Sequence, residues 1–418
     1  MASNAISSIE PRSSVSGIPI VLRSAGLIAA GCLITFPARI PNTPAGMRTT
    51  DVLGVIALLL FAARVIFGLR PGRWAAPLAI TFTLSMTWII TEFFNFSSQL
   101  GVQRARMVCV RWILSLFVAY WLASLMKVRR WRGTLVLGLI IGSGLSLGSV
   151  AYDAATFNPA TADEDSEAAE PVWIGDQYRA GGIFSHPNSA AGTILLSVPL
   201  LIGAVRERRL RRYAIVLPIA LLLAVYGLTS TRGPTFVASC LIARHLFGRI
   251  SYRKLAIVTI VSAAFLGVVL IALQTHTLSS LPLADRLLDA ANIQGGAKDR
   301  LSTTLTSIEI AFTHPLGVGS RYEQMLEQVT GFSATHNGFL QLALLGGLPL
   351  TVYVFWRLCR KITQLRSLHS LEAWTALYLV SALMFENQFF VPTFSIFTLW
   401  LICNSQPEDD EVRASGNS

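Results

Sequence analysis

The sequence predicts an all-α protein, a polytopic integral membrane bundle, and three observations carry that reading. Only 14% of its 418 residues are charged and 53% are hydrophobic, whereas a soluble domain carries about 25% charge. Windows of roughly 17 to 21 mostly apolar residues recur along the chain, about twelve in all, each long enough to cross a hydrocarbon core of about 30 Å as a helix. The basic residues give a formal net charge of +11, yet they fall in every second loop. That alternation is the positive-inside pattern of a membrane protein, so the partner it implies is a lipid bilayer and no nucleic acid is expected.

Taken in order, residues 1–18 are polar and Ser-rich and are expected as a cytoplasmic N-terminal segment. The apolar stretch after them is long enough to be retained as a span, so no cleavable signal is expected. Spans are predicted near 19–36, 51–68, 75–93, 107–126, 133–152, 187–205, 212–229, 233–248, 255–274, 338–356, 371–386 and 388–404, making 19–404 a single transmembrane domain. Arg70 and Arg73, then Lys127, Arg129, Arg130 and Arg132, then Arg206, Arg208, Arg209, Arg211 and Arg212, then Arg249, Arg253 and Lys254, then Arg357, Arg360, Lys361 and Arg366 mark the cytoplasmic side. Arg104 and Arg106 depart from the rule on the outer side before the fourth span.

Two outer loops are long, about 153–186 and 275–337. The first holds Asp153, Asp163, Glu164, Asp165, Glu167, Glu170 and Asp176, acids that keep it solvated. The second is too long for a structureless connection; the amphipathic stretch Leu301 to Phe312 predicts short helices over the membrane face, a lid or platform. Pro315 and Gly317-Val318-Gly319 break that pattern. The tail 405–418, with Glu408-Asp409-Asp410-Glu411, reads as a solvated cytoplasmic end. Cys32, Cys109, Cys240, Cys359 and Cys403 form no CxxC pair, so neither a disulfide nor a metal site is indicated.

Against this apolar background, three polar clusters sit at span edges on the outer side: Tyr178-Arg179-Ala180-Gly181-Gly182, Thr229-Ser230-Thr231-Arg232-Gly233 and Thr335-His336-Asn337-Gly338. An arginine at the bilayer centre costs roughly 2.5 to 3.5 kcal/mol, so Arg179 and Arg232 beside apolar spans point to an anionic ligand; snorkelling to headgroups is the plainer alternative. His336 offers a proton acceptor with an unperturbed pKa of about 6.5, while Asn337 is a good N-cap for the next helix, and the two roles are compatible. His186-Pro187-Asn188 reads as a helix entrance, with Asn188 as a polar contact. Arg321 and Tyr322 follow the GVG turn and either bind glycan or phosphate or are simply exposed. Glu386 lies at an outer edge, where it pairs with an arginine, accepts from a sugar hydroxyl or closes a turn. Trp88, Trp112, Trp121 and Trp400 read as interfacial anchors or helix packing.

Arg179-Ala-Gly-Gly-Ile-Phe-Ser-His-Pro-Asn188, Thr229-Ser-Thr-Arg232-Gly, and Pro315-Leu-Gly-Val-Gly319 followed by Thr335-His336-Asn337-Gly-Phe-Leu-Gln341 and Gly346-Gly347 resemble the O-antigen ligase and polysaccharide polymerase superfamily. The resemblance covers roughly residues 170 to 350; the first five spans match only as hydrophobic helices. It implies a multi-pass enzyme of the bacterial inner membrane whose site faces the periplasm. Such an enzyme takes glycan from a polyprenyl-diphosphate carrier and needs no metal or other cofactor. The family's two essential arginines fall on Arg179 and Arg232 and its histidine on His336; Tyr178, Asn188, Asn337, Arg321 and Glu386 are the expected substrate contacts. Ligation to lipid A-core is the leading expectation. Repeat-unit polymerisation onto a growing polysaccharide is the alternative, and protein O-glycosylation a third acceptor choice. A reading of another class is a lipid-linked glycan flippase, whose charges would sit near the midplane on broken helices.

Overall fold

The structure is a computed structural model, and it describes residues 20–40, 47–68, 75–94, 99–127, 129–157, 173–174, 177–184, 186–206, 216–229, 231–247, 290–332, 335–363, 371–386 and 389–403. The N-terminal segment 1–18, the acidic run 163–170, the span near 255–274, the loop up to residue 289, the tail 405–418 and the loop arginines at 70, 73, 208–212, 249, 253 and 366 lie outside these residues.

The described residues are helical apart from one small hairpin and the isolated bridge between Arg39 and Arg48. Helices α1 (Ile20–Thr35), α2 (Thr49–Ile66), α3 (Ala75–Phe94), α4 (Gln99–Lys127) and α5 (Arg129–Thr156) are followed by strands β1 (Trp173–Ile174) and β2 (Gln177–Tyr178), paired antiparallel. Then come α6 (Pro187–Leu195), α7 (Ser197–Arg206), α8 (Val216–Thr229) and α9 (Gly233–Phe247). The C-terminal part holds α10 (Ala290–Thr313), α11 (Arg321–Thr330), α12 (Gly338–Gly346), α13 (Leu348–Thr363), α14 (Leu371–Phe385) and α15 (Pro392–Cys403).

Among the described residues, five stretches are long and apolar enough to span a membrane: Thr49–Ile66, Ala76–Phe93, Arg106–Met126, Trp131–Thr156 and Pro187–Val205. Val21–Thr35, Val216–Thr229, Leu371–Met384 and Pro392–Cys403 are shorter apolar helices, at four further places where the sequence predicts spans. Exposed Leu59, Leu60, Ile66, Ile80, Ile90, Leu137 and Leu145 leave apolar side chains on the outside of the bundle, as a lipid-facing surface requires.

Helix α4 is the centre of the N-terminal part, packing against α2, α3, α5 and α15. Its Trp112 is buried with Trp88 and Phe389, half-buried Phe390 packs against them in one aromatic cluster, and Trp112 Nε1 donates to Ser85 Oγ at 2.8 Å. Trp88, Trp112 and Trp400 therefore pack the core and do not anchor an interface. Helices α1 and α5 meet backbone to backbone through Gly31, Gly138 and Gly142: a Cβ on Gly31 would lie 2.7 Å from the Leu135 carbonyl, and one on Gly138 would overlap the Ile28 carbonyl. Small residues four apart allow such an approach where no hydrophobic force separates lipid from helix. Thr35 Oγ1 donating to Leu139 O (2.8 Å) and Ser146 Oγ to Thr35 O (2.7 Å) tie the pair.

Two predicted spans differ in form. The 187–205 span divides into α6 and α7 at Leu196, whose helical φ −61° and ψ −23° and bond to Gly192 O (3.1 Å) carry the axis through, whereas the span predicted near 338–356 breaks at Gly347 and continues to Thr363. Gly347 has φ +89°, and a Cβ there would lie 2.8 Å from the Pro315 carbonyl. The break is the slot that receives the Pro315–Gly319 turn: Leu348 N donates to Pro315 O (2.8 Å) and Val318 N to Leu344 O (2.7 Å). Arg357, Arg360 and Lys361, expected in a cytoplasmic loop, lie on α13, and Arg357 Nη2 donates to Ile402 O at 2.6 Å.

Candidate functional site

The site is assembled from chain segments that are distant in sequence. Asp153, on the last turn of α5, accepts from Gly181 N (2.9 Å) and Gly182 N (2.8 Å) through a single oxygen, Oδ2. Gly182 has φ +55°, and a Cβ there would lie 2.7 Å from Ser149 Oγ, so the turn can press against α5 only as glycine. This fixes the segment that carries Arg179, whose residue is only 8% exposed.

The Arg179 guanidinium reaches into both neighbouring clusters. Nε donates to Thr229 O (2.9 Å), and Nη2 donates to Asn188 Oδ1 (2.8 Å) and Thr231 Oγ1 (3.1 Å). Asn188 passes the contact on, donating through Nδ2 to Glu386 Oε2 at 2.9 Å. Glu386 is 4% exposed in the turn between α14 and α15. Burial raises its pKa, opposed by Arg300, by the Asn188 hydrogen bond and by Arg179. One chain of hydrogen bonds thus joins the first cluster, the second cluster and the C-terminal end of α14.

The third cluster closes on the same edge. Asn337 caps α12, its Oδ1 accepting from Phe339 N (2.9 Å) and Leu340 N (3.1 Å), and its Nδ2 donates to Met384 O (3.3 Å). Both lone pairs of that amide oxygen are spent on the helix, so the cap is the role the geometry gives Asn337. His336 beside it is half-buried, and among the described residues no hydrogen bond engages its ring. Its pKa is lowered, first by burial and then by the Arg300 charge, which favours the neutral imidazole.

The remaining predicted residues are placed as follows. Arg232 is exposed at the start of α9, between Thr231 and Gly233, and its carbonyl accepts from Phe236 N at 2.9 Å. Chain continuity with Thr231 sets it at the same end of the bundle as Arg179. Tyr178 ends β2 opposite Trp173; its side chain lies outside the described residues. Arg321 opens α11 and is exposed, and among the described residues no hydrogen bond links it to the Arg179 set. Its neighbour Tyr322 is buried and accepts from Gln341 Nε2 through its hydroxyl at 3.2 Å, a packing role. His186 caps α6, its Nδ1 accepting from Asn188 N at 3.2 Å, and its pKa is lowered by burial and then by Arg179.

Three contributors were not singled out as site residues from sequence. In sequence, Asp153 is one acid among the several that solvate its loop. Thr231 stood inside a motif without a role of its own. Arg300, an exposed arginine on α10, acts electrostatically on both His336 and Glu386. No local signal marks Arg300, which immediately precedes the amphipathic stretch.

Helix α10 packs on α11 and on α12, the helix that His336 precedes. It buries Thr303, Ser307, Ile310 and Ala311 and exposes Leu301, Leu305, Ile308 and Phe312, an apolar stripe along one face. The cap is pinned from below: Glu92, buried on α3, accepts from Ser320 N and, at 3.0 Å, from Ser320 Oγ. The N-termini of α6, α9 and α12 open at these clusters, and each brings partial positive charge suited to an anion. No family model matches this chain, and no curated protein does.

Proposed function

We propose that this chain is a membrane glycosyltransferase working on the outer face of a bacterial inner membrane. It moves a glycan from a polyprenyl-diphosphate carrier to a sugar hydroxyl, most simply to lipid A-core. The observation that carries the reading is the hydrogen-bond chain from Thr229 and Thr231 through Arg179 and Asn188 to Glu386, with His336 beside its far end. A buried guanidinium, a neighbouring exposed arginine and three helix N-termini suit a doubly charged leaving group better than they suit a neutral one.

In the step itself, the acceptor hydroxyl attacks the anomeric carbon as the bond from that carbon to the diphosphate oxygen breaks. The electron pair leaves with the diphosphate, whose growing charge Arg232 and Arg179 stabilise. The hydroxyl proton passes to the neutral His336 ring, an assistance typically worth about a hundred- to ten-thousand-fold. Direct attack inverts the anomeric centre. Arg300 adds a third cation from the cap side. The apolar stripe on α10 would rest on the membrane surface and the polyprenyl tail would lie among lipid-facing helices, the interfacial geometry of an amphipathic helix.

Polymerisation of repeat units on the carrier uses the same donor chemistry and differs only in the acceptor. The test is transfer by purified protein from a polyprenyl-diphosphate glycan to lipid A-core, comparing wild type with His336→Ala. Transfer that disappears in the variant supports the ligase reading. Chain growth on the carrier without transfer assigns a polymerase, and neither product from the wild type rejects both.

A further inference from the structure

Helix α13 carries a surface feature that shares no residue with the Arg179 chain. Leu350, Val354 and Leu358 form its buried face. The opposite face, Val352, Phe355, Trp356 and Arg360, is exposed, at 62% for Val352 and 51% for Trp356. Residues three and four apart lie over one another on a helix, so this outward stripe runs from aliphatic to aromatic to basic towards the C-terminus. From Val352 to Arg360 the rise is roughly 12 Å.

The basic end of the stripe is organised around one indole. Arg357 Cζ lies 5.8 Å from the ring centroids of both Tyr353 and Trp356, and Arg360 Cζ lies 5.8 Å from the Trp356 ring, within the range of cation–π attraction. The two arginines are not equivalent. Arg357 is half-buried, and its Nη2 donates to Ile402 O at 2.6 Å, satisfying a carbonyl in the last turn of α15, where the helix dipole favours a cation. Arg360 is exposed beyond it in the last turn of α13. Helix α15 begins at Pro392, just past Glu386, and rises roughly 18 Å along its length. Ile402 and the arginine that meets it therefore lie at the end of the bundle away from the Arg179 site.

Aliphatic, then aromatic, then cationic is the order of a membrane boundary: aliphatic side chains meet acyl chains, an indole lies at headgroup level, and a long cationic side chain reaches the phosphate layer. We propose that Trp356 and Arg360 form a binding surface for the headgroup of an anionic phospholipid, in the leaflet away from the Arg179 site. Arg360 offers paired N–H donors to the phosphate, and Trp356 packs beside the glycerol backbone and steadies the guanidinium. Phe355 and Val352 line the acyl chains, and Arg357 holds the indole from the protein side. The surface needs neither donor nor acceptor of the proposed transfer reaction, so it is tested independently of that reading.

The test uses the full chain in nanodiscs of phosphatidylcholine containing a small share of phosphatidylglycerol that bears a diazirine near its headgroup, with labelled peptides mapped by mass spectrometry. Labelling over residues 352–363 is expected, and it should fall about fivefold in Arg360→Gln, the effect of one basic residue at an anionic lipid surface. Arg360→Lys keeps the charge and is expected to keep most of the labelling. Trp356→Leu keeps an apolar side chain but loses the ring, and is expected to lower it. Both positions are exposed, so the bundle tolerates these changes, and labelling over 49–66 is the internal reference. Unchanged labelling in Arg360→Gln, an equal fall over 49–66, or equal labelling of 352–363 by phosphatidylcholine carrying the same diazirine overturns the proposal.

Discussion

Asn188 and Glu386, 198 residues apart, share a 2.9 Å hydrogen bond, and the other end of the same amide accepts from Arg179 at 2.8 Å. An amide between a buried guanidinium and a buried carboxyl group lets one side chain satisfy both. It also holds the C-terminal end of α14 against the start of α6.

Replacing the carboxyl tests that arrangement. Glu386→Gln keeps an acceptor for Asn188 Nδ2 and resembles the protonated acid that burial favours. Its stability is expected within about 1 kcal/mol of wild type, whereas Glu386→Ala leaves a buried amide donor unmet and costs about 1–3 kcal/mol. Reversible unfolding in detergent measures both, and equal stability of the two variants would remove the bond from the account.

On the proposed reading, with His336 as the base, the pH dependence of transfer follows from that residue. Its pKa lies below 6.5 because burial and Arg300 both disfavour the imidazolium. A neutral base is active above its pKa, so kcat/KM is expected to be flat at neutral pH and to fall only as pH drops through that lowered value. Arg300→Gln removes one of the two causes and should move the acid limb upward towards 6.5, while raising KM for the donor. A pH profile unchanged by that substitution would sever Arg300 from the histidine.

Gly138 faces the Ile28 carbonyl across the contact of α1 and α5. Even Gly138→Ala therefore puts a methyl group against backbone that no rotamer change can clear, and overpacking of this kind costs about 1–3 kcal/mol. Gly144, with open space at its Cβ position, is the control; Gly144→Ala on the same helix is expected to be neutral or slightly stabilising. Thermal denaturation of the two variants in detergent decides.

Glu92 ties the cap to α3 through Ser320. Glu92→Ala should leave the N-terminal bundle folded but loosen α11, seen as faster amide hydrogen exchange over 321–330 with no change over 106–126. Uniform acceleration across both regions would mean that Glu92 supports the whole bundle.

Helical content, the apolar stretches and the polar clusters were legible in sequence because each is a local property: composition, a run length, a cluster beside a run. The amphipathic stretch Leu301 to Phe312 was legible for the same reason, and it lies within α10. The break at Gly347 was not, because a glycine pair inside an apolar run reads as helix until the Pro315–Gly319 turn that fills the gap is known. Asp153 and Arg300 were equally hidden. A charged residue in a loop is ordinary, and only the approach of Gly181 and Gly182, or of His336 and Glu386, distinguishes these two.

By itself, then, the sequence determined that the chain is a helical bundle built to meet a bilayer, since hydropathy and charge alternation act through solvent and need no partner residue. It also picked out Arg179, Arg232 and His336, since polar groups stand out against an apolar background. Tertiary structure alone decided that Arg179 reaches Glu386 through Asn188, that Asn337 spends its oxygen on a helix end, and that Arg111 pairs with Asp51, 60 residues away. Hydrogen bonds and charge pairs depend on distances of a few ångströms between residues far apart in the chain, and packing of the helices sets those distances.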